Sequence, residues 1–184
     1  MQMDKNELRR LLNELGIVYE QLGGPPLDLG VCGGAGLILM GLIDRTTKDI
    51  DTLFPTPWPS VFAEAARIIA QNYGLSDGWI NAGPAMLTAM GLPDGFIERA
   101  EVVKFGMRLT VYFASRHDQI FFKVYAAANR GGYHVDDLLL LRPTSEEIVA
   151  AARWCRTHDP SDGFLQILTS MLKILKYDDA AEKM

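Results

Sequence analysis

Two neighbouring stretches decide the fold: Val31-Cys32-Gly33-Gly34-Ala35-Gly36 and Leu42-Ile43-Asp44-Arg45-Thr46-Thr47-Lys48-Asp49-Ile50-Asp51. Residues 27–31 are a short apolar run between turn signals, which predicts a buried strand. The paired glycines predict a turn from this strand into a helix over residues 35–40. Residues 49–54 predict a second strand, closed by prolines. The first half of the chain is therefore organised as strand, double-glycine turn, helix and strand.

Further elements surround this unit. Apolar periodicity and turn residues predict the following order: a helix over 4–22 capped by Asp4, a helix over 60–73 capped by Ser60, a loop or short strand over 76–81, a short helix over 84–91, and a hairpin of 97–105 and 107–114 turned at Gly106. Strands and helices in this order predict one small sheet accompanied by helices.

The chain becomes wholly helical after Ser115. The pattern predicts helices over 117–129, 133–141, 144–157 and 161–177. Thr144 and Glu147 have the spacing of a capping box, and Ser161 is placed to cap the final helix. We therefore expect an α+β fold with a small mixed β-sheet. Its core would span residues 1–114, and a helical C-terminal extension over residues 115–184 would pack on that core.

Composition excludes several classes of protein. The formal net charge is −5, which argues against strong general binding of nucleic acid. The two cysteines, Cys32 and Cys155, are too few for a disulfide framework, so we expect reduced, partly buried thiols. The polar start is not a signal peptide, and the longest apolar run, residues 29–43, is shorter than a membrane span. We expect a soluble, cytoplasmic protein without a membrane partner.

The double-glycine turn and the Asp pair have a shared chemical use. Glycines lack Cβ atoms, so a phosphate can approach the backbone of Gly33 and Gly34 closely, and the following helix directs its N–H groups toward that phosphate. On a strand, Asp49 and Asp51 project from one face. Two carboxylates on one face can hold Mg²⁺ together with phosphate oxygens. The plainer interpretation is a solvated Asp pair at a strand end beside a tight turn.

Other site classes lack support in the sequence. The dinucleotide pattern G-x-G-x-x-G fails because Leu39 stands where a glycine is needed. A Walker A loop is absent. The three histidines have no zinc-ligand spacing, and no serine or cysteine lies in a nucleophile elbow.

The motif resembles that of the polymerase-β-type nucleotidyltransferase superfamily. More narrowly, the chain is similar to bacterial nucleotidyltransferase-like proteins related to AbiEii toxins and to minimal nucleotidyltransferase antitoxins. The matching residues are Gly33, Gly34, Arg45, Thr47, Asp49 and Asp51. The resemblance implies that the glycine turn binds a nucleoside triphosphate, that the Asp pair binds Mg²⁺, and that residues 1–114 form a nucleotidyltransferase-like core.

The resemblance continues downstream. Lys123, Arg130 and Asp137-Leu138 are similar to a Lys, Arg and Asp-Leu pattern of the AbiEii-like proteins. It implies that Lys123 faces the nucleotide phosphates and that Asp137 lies near the site. One departure concerns the third carboxylate that active superfamily members carry on a neighbouring strand. The strand over residues 107–112 has no acid, which leaves Glu101 as the nearest substitute and Asp77 as another.

These residues predict a Mg²⁺-dependent transfer of a nucleoside monophosphate from an NTP to a hydroxyl of a protein or RNA acceptor. Asp49, Asp51 and Glu101 would be catalytic, and Arg45 and Lys123 would neutralise phosphate charge. The missing third acid leaves an alternative open. In it, the protein binds nucleotide without turnover and acts as a regulator, such as the toxin or antitoxin of a pair. A third possibility is an interaction module that uses the helical segment.

Overall fold

The core of the structure is a five-stranded mixed sheet. Its strands are β1 (Leu27–Cys32), β2 (Ile50–Phe54), β3 (Ile80–Asn81), β4 (Glu101–Phe105) and β5 (Leu109–Phe113). In the computed structural model, which describes residues 1–183, they lie in the order β3-β2-β1-β5-β4. The central strand β1 runs antiparallel to β2 and parallel to β5. At the edges, β3 is parallel to β2 and β4 is antiparallel to β5.

Ten helices accompany the sheet within the described residues. They are α1 (Lys5–Gln21), α2 (Gly33–Leu39), α3 (Ser60–Tyr73), α4 (Ala85–Met90), α5 (Phe96–Arg99), α6 (Arg116–Arg130), α7 (Tyr133–Leu140), α8 (Ser145–His158), α9 (Asp162–Ile174) and α10 (Asp178–Glu182). The predicted α+β class, with a mixed sheet and a helical C-terminal segment, is confirmed. Across the described part of the chain, none of the helices has the length and apolar character needed to cross a bilayer.

Three predicted helix caps are confirmed. The Asp4 carboxylate accepts a hydrogen bond from the Glu7 amide at 2.8 Å. Thr144 and Glu147 form the reciprocal capping box, in which each side chain accepts from the other residue's backbone amide. Ser161 accepts from the amide of Phe164 at 3.2 Å. Each cap satisfies an amide that the first turn of a helix leaves without an intrahelical partner.

The described chain forms two compact units. The sheet unit comprises Met1–Gly91 and Gly95–Ser115, and the helical unit comprises Leu92–Asp94 and the residues from Arg116 onward. The sheet unit contains every strand and the double-glycine turn. The helical unit contains α6 to α10.

Some predicted boundaries are wrong. The helix after the glycines begins at Gly33 rather than at residue 35, and β2 begins at Ile50, so Asp49 precedes the strand. Residues 97–99 are helical instead of extended, because Gly95 turns the chain with a φ of 74° and lets the Phe96 ring enter the core. The final predicted helix, over residues 161–177, ends earlier, at Ile174, and Lys176, with a φ of 64°, follows it. Helix α10 begins beyond the predicted limit, at Asp178.

Helix α1 packs against the edge strand β4. Its apolar face of Leu8, Leu11, Leu12 and Leu15 is fully buried. Gly16 lies so close to β4 that a Cβ atom there would overlap the carbonyl oxygen of Phe105. The absence of a side chain at Gly16 therefore sets how closely α1 approaches the sheet.

We expect Gly16→Ala to destabilise the protein by about 1–3 kcal/mol, the usual range for overpacking a tight core contact. The matched control is Gly163→Ala in α9, where an added Cβ meets open space. Alanine has the higher helix propensity, so the control is expected to stabilise by up to about 1 kcal/mol. Thermal or urea unfolding measures both. Equal melting temperatures for the two variants would contradict the close approach of α1 to β4.

Candidate functional site

The double-glycine turn follows β1 and lies against Asp51. The β1–β2 ladder pairs Cys32 with Asp51, so the turn begins directly opposite this carboxylate. Gly33 has a φ of 66°, a conformation that favours glycine. A Cβ atom at Gly33 would overlap the Oδ2 atom of Asp51. Both the backbone conformation and the nearby carboxylate therefore require glycine here.

Arg45 and Thr47 lie against the second glycine. A Cβ atom on Gly34 would be 3.1 Å from Nη2 of Arg45 and 3.1 Å from Oγ1 of Thr47. Thr47 is buried, and its backbone pairs with Met3 through hydrogen bonds of 2.7 and 3.0 Å. The pairing with the N-terminal segment fixes Thr47 beside the turn.

Asp49 reaches the same place through Thr47. The Oγ1 atom of Thr47 lies 3.3 Å from Oδ1 of Asp49 and 3.3 Å from its backbone oxygen. Asp49 lies one residue before β2, so the expectation that the strand itself presents both carboxylates is wrong for this residue. Its carboxylate is nevertheless connected to the turn through the Thr47 hydroxyl. Both Asp49 and Asp51 are half-buried.

The six residues of the first motif thus form one group, which we call the glycine–aspartate site: Gly33, Gly34, Arg45, Thr47, Asp49 and Asp51. It combines backbone without side chains, two carboxylates, a hydroxyl and a guanidinium. Carboxylate oxygens are ligands that Mg²⁺ prefers, and this ion is commonly held by one or two carboxylates together with substrate phosphates and water. The donor set of the site therefore fits Mg²⁺ bound with a polyphosphate.

The sheet does not bring Glu101 to this site. Glu101 is exposed on β4, and β1 and β5 separate that strand from β2. Three strand spacings of about 4.8 Å place the two backbones about 14 Å apart, too far for Glu101 and Asp51 to share one metal ion. Asp77 is exposed in the turn before β3. The choice of Glu101 as third carboxylate is therefore at odds with the geometry.

The strand considered for a third carboxylate does not neighbour β2. The strand over residues 107–112 corresponds to β5, which neighbours β1 and not β2. Besides β1, the strand that neighbours β2 is β3, and it pairs Asn81 with Asp51. No group of three or more His, Cys, Asp or Glu side chains within residues 1–183 is arranged to hold a metal. The segment over residues 76–81, predicted as a loop or short strand, contains β3, and the apolar pair Trp79-Ile80 directly before this amide is the sequence signal for that strand.

Lys123 and Asp137 meet within the helical unit. The Lys123 ammonium, on α6, lies 2.7 Å from Oδ2 of Asp137, on α7. Their side chains are only 4% and 3% exposed, so the charges are almost completely withdrawn from water. The Tyr133 ring centroid lies 5.8 Å from the ammonium. These two residues are neighbours in the structure, while their contact with a nucleotide stays a prediction.

The cysteines offer no second chemical site. Cys32 and Cys155 are free of disulfides and buried. Burial raises the pKa of the Cys155 thiol far above its ordinary value. Since the thiolate is the reactive form, the neutral Cys155 thiol is a packing group rather than a nucleophile.

A known protein family covers most of the chain. The model of a family described as "nucleotidyltransferase of unknown function (DUF6036)" matches residues 6–156 of the 184. The match covers well over half of the chain and includes every residue of the glycine–aspartate site. The chain belongs to this family of nucleotidyltransferases. Neither a curated protein nor a solved structure matches the chain.

A left-handed backbone conformation costs an ordinary residue about 1–2 kcal/mol. We expect Gly33→Ala to destabilise the protein by more than this amount, because the new methyl group also displaces the Asp51 carboxylate. The matched control is Gly74→Ala at the C-terminus of α3. Its φ is 60° and an added Cβ meets no neighbour within 4 Å. Chemical denaturation measures the difference between the two variants. A loss at Gly33 no larger than that at Gly74 would show that Asp51 does not lie against the turn.

The buried ion pair gives a second prediction. Asp137→Ala leaves the Lys123 ammonium buried without its carboxylate, so we expect a loss of about 3–5 kcal/mol. The double variant Lys123→Met/Asp137→Leu is expected to recover most of the lost stability, since no charge then remains buried. Urea unfolding of the single and double variants provides the test. A double variant as unstable as Asp137→Ala would contradict this account.

Proposed function

We propose that the protein transfers a nucleoside monophosphate from an NTP to a hydroxyl group of a protein or RNA acceptor, in a reaction that depends on Mg²⁺. One observation carries this proposal: the Asp51 carboxylate lies against Gly33, and the Asp49 carboxylate contacts the Thr47 hydroxyl that lies against Gly34. Family membership supports the general reaction class. We propose the cation, the kind of acceptor and the residue roles from the chemistry of the site residues.

The site has the parts that polyphosphate binding needs. Gly33 and Gly34 leave the backbone open, so phosphate oxygens can approach its N–H groups. Asp49 and Asp51 would hold Mg²⁺, which supplies neutralisation of the polyphosphate charge and of the charge that develops on the leaving pyrophosphate. The Arg45 guanidinium beside Gly34 adds a positive charge and hydrogen-bond donors.

The proposed reaction is an in-line displacement. The acceptor hydroxyl oxygen forms a bond to the α-phosphorus, and the bond from that phosphorus to the bridging oxygen of the β-phosphate breaks. Pyrophosphate leaves with the electron pair of the broken bond, and the hydroxyl proton passes to water. The task of the protein is chiefly to position the reactants and to stabilise charge, as in phosphoryl transfer generally.

A second candidate function rests on the composition of the site. Within the described residues, the glycine–aspartate site has two carboxylates and no third acid beside them. Without a carboxylate that can take the hydroxyl proton, turnover would be slow. The protein would then be a regulator that binds nucleotide, such as the toxin or antitoxin of a pair.

Asp49→Asn and Asp51→Asn are each expected to weaken Mg²⁺-dependent nucleotide binding by about tenfold or more, because affinity for the ion depends on the number of charged ligands. Calorimetric titration with ATP, GTP, CTP and UTP, with and without MgCl₂, measures this. Asp77→Asn is the matched control, since that carboxylate is exposed and outside the site. Metal-dependent binding that survives both substitutions would contradict the proposed site.

A pyrophosphate-release assay separates the two functions. Release in the presence of a protein or RNA acceptor supports the transferase, and binding without release supports the regulator. If none of the four nucleotides binds with or without Mg²⁺, both proposals are wrong and an interaction module remains.

A further inference from the structure

The strand β3 places an amide beside the site. It pairs in parallel with β2, in the register Ile50 with Ile80 and Asp51 with Asn81. Side chains at paired positions of neighbouring strands project from the same face, about 5 Å apart at their origins. Asp51 therefore has Gly33 on one side, across the β1 ladder, and Asn81 on the other.

The register at this point is firmly held. The amide of Ile50 donates to the carbonyl of Trp79 at 2.8 Å, and the Thr52 hydroxyl donates to the carbonyl of Asn81 at 3.0 Å. Trp79 is 1% exposed, and its indole N–H donates to the carbonyl of Ala66 at 3.0 Å. A slip by one residue would break these bonds and expel the Trp79 side chain from the core. The position of Asn81 beside Asp51 is thus anchored by burial as well as by the ladder.

A backbone donor fixes the orientation of the Asn81 amide. The Gly83 N–H donates to Oδ1 of Asn81 at 2.8 Å. Because an N–H group can only donate, the atom facing Gly83 must be the amide oxygen, and the Nδ2 hydrogens face elsewhere. Gly83 permits this contact, since a Cβ there would lie 2.8 Å from Oδ1. The half-buried amide is therefore held in place rather than left to rotate.

We infer that Asn81 is the third side chain of the cation site, and that its neutral amide limits the site to one divalent cation. This inference rests on the proposed function. A pair of cations about 4 Å apart needs enough negative charge to offset their mutual repulsion. Asp49 and Asp51 provide two charges, and the position that would add a third next to Asp51 holds an uncharged group. The amide can still donate to a phosphate oxygen or offer its oxygen to the cation.

The test uses the full chain and manganese as the probe. Electron paramagnetic resonance of free Mn²⁺ counts the ions bound per chain, first with MnCl₂ alone and then with ATP, GTP, CTP and UTP present together. A protein-free sample with the same Mn²⁺ and nucleotide concentrations is the reference, because nucleotides in solution bind Mn²⁺ themselves. We expect one bound Mn²⁺ for the wild type in the presence of nucleotides. Asn81→Asp is expected to bind a second Mn²⁺ and to bind Mn²⁺ alone about tenfold more tightly, because it adds one charged ligand.

Two control variants accompany this substitution. Asn72→Asp makes the same chemical change on the exposed face of α3 and is expected to leave the Mn²⁺ count and affinity unchanged. Asn81→Ala removes the amide without adding charge and is expected to keep the count at one. Asn81→Asp retains an acceptor for Gly83 and so is expected to fold. Repulsion from Asp51 should lower its melting temperature without metal, and MnCl₂ should restore it.

Three results would overturn the inference while the proposed function stands. They are two Mn²⁺ ions on the wild type, an unchanged count and affinity for Asn81→Asp, or an Asn81→Asp chain that stays unfolded in excess MnCl₂. Failure of the proposed function itself has a different signature, because the wild type would then bind neither Mn²⁺ nor nucleotide. That result would remove both conclusions together.

Discussion

The register between β1 and β2 is the constraint on which the site depends. Cys32 faces Asp51, so the turn that begins at Gly33 has this carboxylate beside it. Since successive side chains of a strand alternate between faces, a slip of one residue would send Asp51 to the opposite face. An irregularity in β2 complements this register: Gly30 pairs with Phe54 and Val31 with Thr52, which leaves Leu53 as an extra residue. In a regular strand Leu53 would share a face with Asp51, but the bulge allows full burial of Leu53 while Asp51 stays half-buried.

Local signals in the sequence were sufficient for most of the fold. The predicted helices capped by Asp4, Thr144 and Ser161 form as expected, because a cap acts within a few residues of its own helix. The glycine turn is equally local. Strand and helix limits were less predictable where distant contacts decide them. Thr47 pairs with Met3, which is more than forty residues away in the sequence. Strand β2 begins after this bridge, at Ile50. No pattern within the motif itself reveals that partner.

The candidate site, like the fold, was predictable from the sequence where local signals determine it. Gly33, Gly34, Arg45, Thr47, Asp49 and Asp51 come together because they lie within one strand–turn–helix–strand unit, whose geometry follows from short-range rules. The third neighbour could not be found in this way. Which strand lies beside β2 is a question of sheet order, and a two-residue strand such as β3 carries almost no periodic signal. The predicted hairpin suggested Glu101 as the third side chain of the site, whereas the sheet order places Asn81 beside Asp51.

The helical unit raises a different question, since the buried charges of Lys123 and Asp137 are already paired with each other. A buried Lys–Asp pair gains little over apolar packing, because withdrawing both ions from water costs about as much as their attraction returns. Stability alone therefore gives a weak reason for Lys123 and Asp137 to be charged. Two explanations remain physically distinct. The pair can specify how α6 and α7 meet, since only one arrangement of the helices satisfies both charges. Alternatively, Asp137 holds the ammonium ready for an anion, in which case the folded double apolar variant would keep its stability and lose nucleotide affinity. Because these quantities are measured separately, a variant with neither charge distinguishes a structural ion pair from one kept for phosphate.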